Sequence, residues 1–267
     1  MRVDDPALSQ RTFVRRPAVA LSWLGMALAL SALACDRKPQ KNPFDPPKDA
    51  PIPAPPASAI PKQETAPELE IDSVSTKVGF ERALLHNPEG RGKLVSLLGE
   101  ARKWFEGKAA LLVVDRKAKV PWVATYLEEL GKLNPSKITV RTETRTDYDR
   151  DQRFTPEAKV QAPPCSVVGM VTSDFGTAVW KLSGGAAGKR GRGMAGPDLS
   201  MTGDTIQRLA KACKESSTFF VSVAEGIEWG LAFDLAASSR VVPEVHFEDT
   251  VLLGEIPTPG HKVDLKR

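Results

Sequence analysis

The sequence predicts a mixed α/β protein of the α+β kind, built as two tandem small domains that each run β-β-α-β-α-β. Three observations carry this. Two stretches repeat one succession: amphipathic helix, compact apolar strand, second helix, closing strand. The second helix and the closing strand start 18 residues apart in both, from Val120 to Ile138 and from Ile227 to Val245. In that frame Trp122 and Tyr126 fall where Trp229 and Phe233 fall, an aromatic pair four apart on one helix face.

The first copy spans residues 69–145. Leu94, Leu97, Leu98, Ala101 and Phe105 recur at helical spacing and form one apolar face. The run Ala110, Leu111, Leu112, Val113, Val114 ends at Asp115 and has the length of a buried strand. Val120, Trp122, Val123, Tyr126, Leu127 and Leu130 predict the next helix, stopping near Gly131 and Pro135 ahead of a strand at 138–142. The second copy, 165–256, opens with strands at 167–172 and 177–182 about a turn at Ser173-Asp174-Phe175-Gly176. A helix follows on Ile206, Leu209, Ala210 and Cys213, with Thr202 as its expected N-cap. Then come a strand at 219–223, a helix carrying Ile227, Trp229, Leu231, Phe233 and Leu235, and a closing strand Val245, His246, Phe247. Residues 146–164, polar and proline-containing, are expected to link the copies, and 257–267 to form a tail.

Ahead of the copies the composition changes twice. Arg2, Arg11, Arg15 and Arg16 make a basic leader, residues 18–34 carry no charge, and the run closes Ser31-Ala32-Leu33-Ala34-Cys35. Basic leader, short apolar stretch and small residues before a cleavage point are the marks of an export signal, here 1–34. A cysteine directly after them resembles a lipobox, so Cys35 is the expected lipid-bearing residue and the membrane an expected partner. The competing reading is a transmembrane anchor, for which 18–34 sits at the short end of what spans a bilayer. Arg15-Arg16 lacks the rest of a twin-arginine motif. Asp36 resembles an inner-membrane retention signal of enteric lipoproteins, which leaves the choice of membrane open. Residues 35–68 form a tether, with ten of the chain's 22 prolines between 36 and 67. Such a segment cannot bury apolar surface, and at polyproline rise it reaches on the order of 100 Å. A proline-rich recognition ligand is the alternative.

Composition bounds the rest. Removing 1–34 leaves about 233 of the 267 residues. The signal holds four Arg and two Asp, so the remainder keeps about +2 of the formal +4, too little to point to nucleic acid. With Cys35 lipidated, Cys165 and Cys213 remain in a compartment where disulfides persist. They either pair or, for Cys213 on its helical face, stay as a buried thiol. Neither has zinc or redox spacing.

Several fragments imitate catalytic motifs without their context. In Ser183-Gly184-Gly185-Ala186-Ala187-Gly188-Lys189-Arg190 the first glycine of a phosphate loop is misplaced, and Arg190 stands where Ser or Thr must reach magnesium. Asp174-Phe175-Gly176 has no accompanying kinase elements. His86, His246 and His261 are far apart and lack ligand spacing. No catalytic residue, metal or cofactor is expected. Lys189, Arg190 and Arg192 mark either a flexible basic loop or a contact for an anionic partner such as cell-wall polymer or lipid headgroups. Trp122, Tyr126, Trp229 and Phe233 mark either core or an interface.

A strand, a short turn, then hydrophobic–x–aromatic on an amphipathic helix resembles the periplasmic domain of the ExbD/TolR biopolymer-transport family. The residues concerned are 111–115 with Val120-Pro121-Trp122-Val123, and 219–223 with Ile227-Glu228-Trp229. The likeness covers most of 69–255. It implies an accessory subunit of a proton-driven motor, acting as a dimer that bridges the inner membrane to the cell wall or to outer-membrane partners. The family's acidic transmembrane residue has no counterpart, because 18–34 hold no Asp or Glu. The expected function is therefore non-catalytic binding and scaffolding from a lipid anchor facing the periplasm, with two copies in one chain imitating the family's dimer. Motor-type membrane subunits, peptidoglycan or a second copy are the expected partners. The alternative is a structural cell-wall-binding lipoprotein unconnected to a motor.

Overall fold

A computed structural model describes residues 65–144, 148–194, 196–214, 217–240 and 247–265. The signal at 1–34, Cys35 and the tether up to residue 64 lie outside the described residues. The chain is α+β, with two mixed sheets and five α-helices among the described residues.

The first half contains β1 (Leu69–Ile71), β2 (Thr76–Val78), β3 (Glu81–Ala83), α1 (Gly90–Glu100), α2 (Arg102–Phe105), β4 (Ala109–Val114), α3 (Val120–Gly131), β5 (Lys137–Arg141) and β6 (Asp151–Phe154). The second contains β7 (Val167–Val171), β8 (Thr177–Lys181), β9 (Gly188–Arg190), β10 (Arg192–Gly193), β11 (Gly196–Pro197), α4 (Leu199–Lys211), β12 (Phe219–Val223), α5 (Trp229–Ser238) and β13 (Thr250–Leu252). The first sheet is ordered β3-β2-β1-β4-β5-β6 and the second β13-β12-β7-β8-β9. Apart from β6 the two orders are the same. β1 and β7 each pair antiparallel with the next strand of their hairpin and parallel with the strand that follows the helix. β4 and β12 each take a parallel neighbour on their other side. Each half adds a short strand, β3 or β9, to the edge of its hairpin, and beyond the β-β-α-β-α-β expectation the first half also gains β6 and the second the β10–β11 hairpin.

The equivalent strands differ in burial, which reflects what covers them. β4 alternates: Ala110, Leu112 and Val114 point into the core, while Leu111 and Val113 are 40% and 41% exposed. That is the pattern of a sheet with helices on one face. β12 and β7 are buried at every position. Their second face carries Val168, Met170, Trp180, Phe220 and Val251, covered by Val160 and Ala162 on one side and Val263 and Leu265 on the other. The expected tail therefore docks. The Trp180 indole donates to the His261 carbonyl at 2.9 Å, and the Val263 amide to Leu182 at 3.0 Å.

Other expectations shift. The stretch 146–164, expected as a linker, supplies β6, which pairs antiparallel with β5 and buries Phe154. Its alternation Gln152, Phe154 inward and Asp151, Arg153 outward is a strand signal that polar composition obscured. The strand beside β12 is β13, beginning at Thr250; Val245 and His246 of the expected closing strand lie outside the described residues and Phe247 is in no strand. The first helix breaks at Ala101 into α1 and α2, keeping Leu94, Leu98, Ala101 and Phe105 buried. The N-cap of α4 is Asp198, whose carboxylate accepts the Met201 amide at 3.2 Å. Thr202 lies inside that helix, where its hydroxyl donates to the Asp198 carbonyl and meets Thr177 Oγ1 at 2.7 Å.

Cys165 and Cys213, 48 residues apart in sequence, form a disulfide with Cα atoms 5.3 Å apart. It pins the end of α4 to the start of β7. Cys213 falls just beyond α4 and is half-buried, so the buried-thiol alternative does not apply. Reduction, or Cys165→Ser with Cys213→Ser, is expected to lower stability by about 4 kcal/mol, through loop-closure entropy regained by the unfolded chain. Urea midpoints with and without reductant measure it; coincident midpoints would refute it.

Candidate functional site

The chemistry-bearing side chains gather where the two halves meet. The loops after β4 and β12 face one another, joined by an antiparallel bridge between Lys119 and Glu228. The Trp229 amide donates to the Ala118 carbonyl at 3.0 Å, and the Gly230 amide to the Arg116 carbonyl at 2.8 Å. Arg116 then reaches across: Nη1 donates to Asp234 Oδ1 at 3.0 Å and Nη2 to Oδ2 at 2.6 Å. The same guanidinium donates to the carbonyls of Glu143 and Gly230. Asp234 is 2% exposed, so its charge is held in place by this fork. A Cβ at residue 230 would stand 2.8 Å from Arg116 Nε, so a larger residue there would displace the guanidinium from its fork. Burial, and then the charge of Asp234, push the Tyr148 phenol above its ordinary range.

Aromatic packing completes the junction. Trp229 of the second half is fully buried, its indole N–H donating to Thr142 Oγ1 of the first half at 2.8 Å. Its ring lies 5.5 Å from Phe154 and 5.8 Å from Phe233. One apolar cluster runs through both halves, from Leu69, Leu112 and Tyr126 to Phe219, Trp229 and Phe233.

The four aromatics singled out from the sequence therefore divide. Trp229 and Phe233 sit at the junction. Tyr126 is buried within the first half, where its hydroxyl donates to the Lys77 carbonyl at 2.8 Å and burial pushes its phenol far upward. Trp122 packs near His86 and under the Lys119 ammonium, outside the common cluster. The two tryptophans are not equivalent. With Lys119 and Glu228 flanking their helices, Trp122 is third in α3 and Trp229 first in α5, so the 18-residue frame is displaced by two.

Beside the junction lies a groove of about 690 Å³, between α3 and residues 155–159. Among its charged groups Arg91 pairs with Glu128 and Glu129 and Lys132 with both, while Lys159 donates to the Asn134 amide oxygen at 2.9 Å. Burial opposes the charge on Glu129, yet Lys132 and Arg91 together hold its carboxyl below the usual range. A depressed carboxyl adds stability that is present above its unfolded pKa and lost as pH falls through its folded pKa. Glu129→Gln is therefore expected to be less stable than the parent at neutral pH and to converge with it in acid. Thermal melts across that range test it, and a gap that persists in acid would sink the idea.

The imitation motifs resolve into backbone geometry. In the glycine loop, the amides of Ser183, Gly184 and Gly185 donate to the carbonyls of Pro164, Lys181 and Gly260. Asp174 accepts Thr172 Oγ1 and the Gly176 amide within a turn where Phe175 has a φ of 60°. No group of three or more metal-ligating side chains occurs among the described residues. No helix among them is long and apolar enough to cross a membrane.

Lys189 and Arg190 lie on β9 and Arg192 on β10, all exposed. The Arg192 guanidinium lies over the Phe175 ring at 5.3 Å. Arg116, Asp234 and Phe154 carry no signal in the sequence, since each looks like an ordinary loop, helix or linker residue until the halves are brought together. No family model, curated protein or solved structure matches the chain.

Proposed function

We propose that this chain is a lipid-anchored, non-catalytic binding and scaffolding protein of the bacterial envelope, working in an ExbD/TolR-like biopolymer-transport or envelope-integrity system. The observation that carries the proposal is the pairing of two halves of like strand order through one apolar cluster. A pair of such units inside one chain is the intramolecular counterpart of the dimer that the ExbD/TolR resemblance implies. Cys35 supplies the anchor, the proline-rich segment the reach, and the folded unit the binding surfaces. The Cys165–Cys213 disulfide accords with an oxidising, periplasm-facing compartment. Motor-type membrane subunits and peptidoglycan are the proposed partners.

Residues 18–34 hold no acidic side chain, which favours a second reading, a cell-wall-binding lipoprotein without a motor. In-cell crosslinking and pull-down of the mature protein, run beside Cys35→Ala, separates the two. Enrichment of motor-type membrane subunits that disappears with the anchor supports the first. Recovery of cell-wall fragments alone, or of the chain alone, overturns it.

A further inference from the structure

We propose that the corner of the second half formed by β9, the β10–β11 hairpin and the β7–β8 turn docks on an anionic lipid bilayer. The cations come from neighbouring strands. Lys189 and Arg190 oppose Ala178 and Thr177 across the β8–β9 ladder, and Arg192 opens the β10–β11 hairpin. All three are exposed, and none has an ion-pair partner among the described residues. The nearby carboxylates are turned to other work. Asp174 is held by Thr172 and the Gly176 amide, and Asp198 caps α4. Lys189 also acts on Asp174, helping to keep it charged, so that acid offsets one cation of the patch in part.

Two apolar side chains stand among these cations. Met194, at the turn of the β10–β11 hairpin, is fully exposed. Phe175 is 39% exposed, and its left-handed backbone places the ring under the Arg192 guanidinium. Three cations alone fit any polyanion. A protruding methionine gains nothing from a soluble polyanion, but it leaves water where an apolar layer lies directly behind the anions. That layering is what a bilayer interface offers. The inference concerns the folded unit and holds whether or not Cys35 carries lipid.

The test uses the chain from Asp36 onward, which holds every described strand, both apolar clusters and the disulfide. It lacks the apolar run 18–34, which would bind vesicles by itself. Co-sedimentation is measured with vesicles of equal parts phosphatidylglycerol and phosphatidylcholine, against phosphatidylcholine alone and against soluble polyphosphate. Binding is expected only with the anionic vesicles and, more weakly, with polyphosphate. Lys189→Glu with Arg190→Glu and Arg192→Glu should cut vesicle binding on the order of a hundredfold, at roughly fivefold per cation. Met194→Ser should cut it roughly fivefold without changing polyphosphate binding. Circular dichroism confirms that both variants fold. Equal binding to neutral vesicles, a triple variant that binds as the parent does, or a Met194→Ser variant with unchanged vesicle binding each overturns the proposal. The last outcome would mark the corner as a polyanion site, such as one for cell-wall polymer.

Discussion

Asp234→Ala is expected to destabilise the folded chain by about 3–5 kcal/mol, the cost of leaving the other member of a buried charge pair without its partner. The aspartate is 2% exposed and its side chain meets only the Arg116 fork among the hydrogen-bonding groups described. Removing it leaves the guanidinium, 22% exposed, facing the carbonyls of Glu143 and Gly230 without a counter-charge. Because the pair joins α5 to the loop after β4, the loss falls on the union of the halves. The double variant Arg116→Met with Asp234→Leu should regain most of the stability, since matched apolar groups often replace a buried pair at little cost. Urea unfolding followed by tryptophan fluorescence measures all three. Asp234→Ala melting with the parent midpoint would show that the pair does not hold the halves together.

Trp229→Ala is expected to cost about 3–5 kcal/mol, the range for truncating a large buried aromatic. The indole fills the space between Phe154 and Phe233, and its N–H satisfies Thr142 across the junction. Alanine opens a cavity in the cluster shared by both halves and strands that hydroxyl. Trp122→Ala is the comparison, because the same truncation outside the shared cluster should cost clearly less. Its ring, buried at 8% exposure, lies near His86 and Lys119 and outside the shared cluster, so truncation there opens no cavity between the halves. Equal losses at the two positions would refute the distinction drawn between them.

These two sites show how legibility varied along the chain. Segments with a periodic or continuous apolar pattern are legible to within a residue or two: α3 at Val120–Gly131, β4 at Ala109–Val114, β12 at Phe219–Val223. Their signal is local, set by which side chains must leave water. α5 is legible too, though its apolar residues alternate in sequence instead of recurring at helical spacing. All ten of its residues are buried, so no solvent face imposes a helical period. β6 is not legible in the sequence because its signal is four residues long and three-quarters polar, and only pairing with β5 makes it a strand.

The candidate junction was legible only in part. Large aromatics on the second helix of each copy mark either core or an interface, and Trp229 and Phe233 are buried core where the two halves meet. A frame that equated Trp122 with Trp229 could not tell which of the two crosses over. The loops after β4 and β12 are both five residues long, 115–119 and 224–228, so the structural frame sets Trp229 against Val120 and Trp122 against Leu231, two residues away from the frame that aromatic spacing suggests.

By itself the sequence determined the class of the fold, the doubled order of its elements, and the turn at Ser173-Asp174-Phe175-Gly176. Each of these depends on short-range physics: periodicity, glycine and proline punctuation, and the cost of burying polar backbone. Tertiary structure alone decided that Arg116 meets Asp234, residues 118 apart in sequence, and that one sheet face is covered by the chain's own tail while its counterpart keeps Leu111 and Val113 in water. Those outcomes depend on which surfaces come together. A buried ion pair or a covered sheet face leaves no mark on the local pattern, because the partner that makes it favourable is supplied from far along the chain.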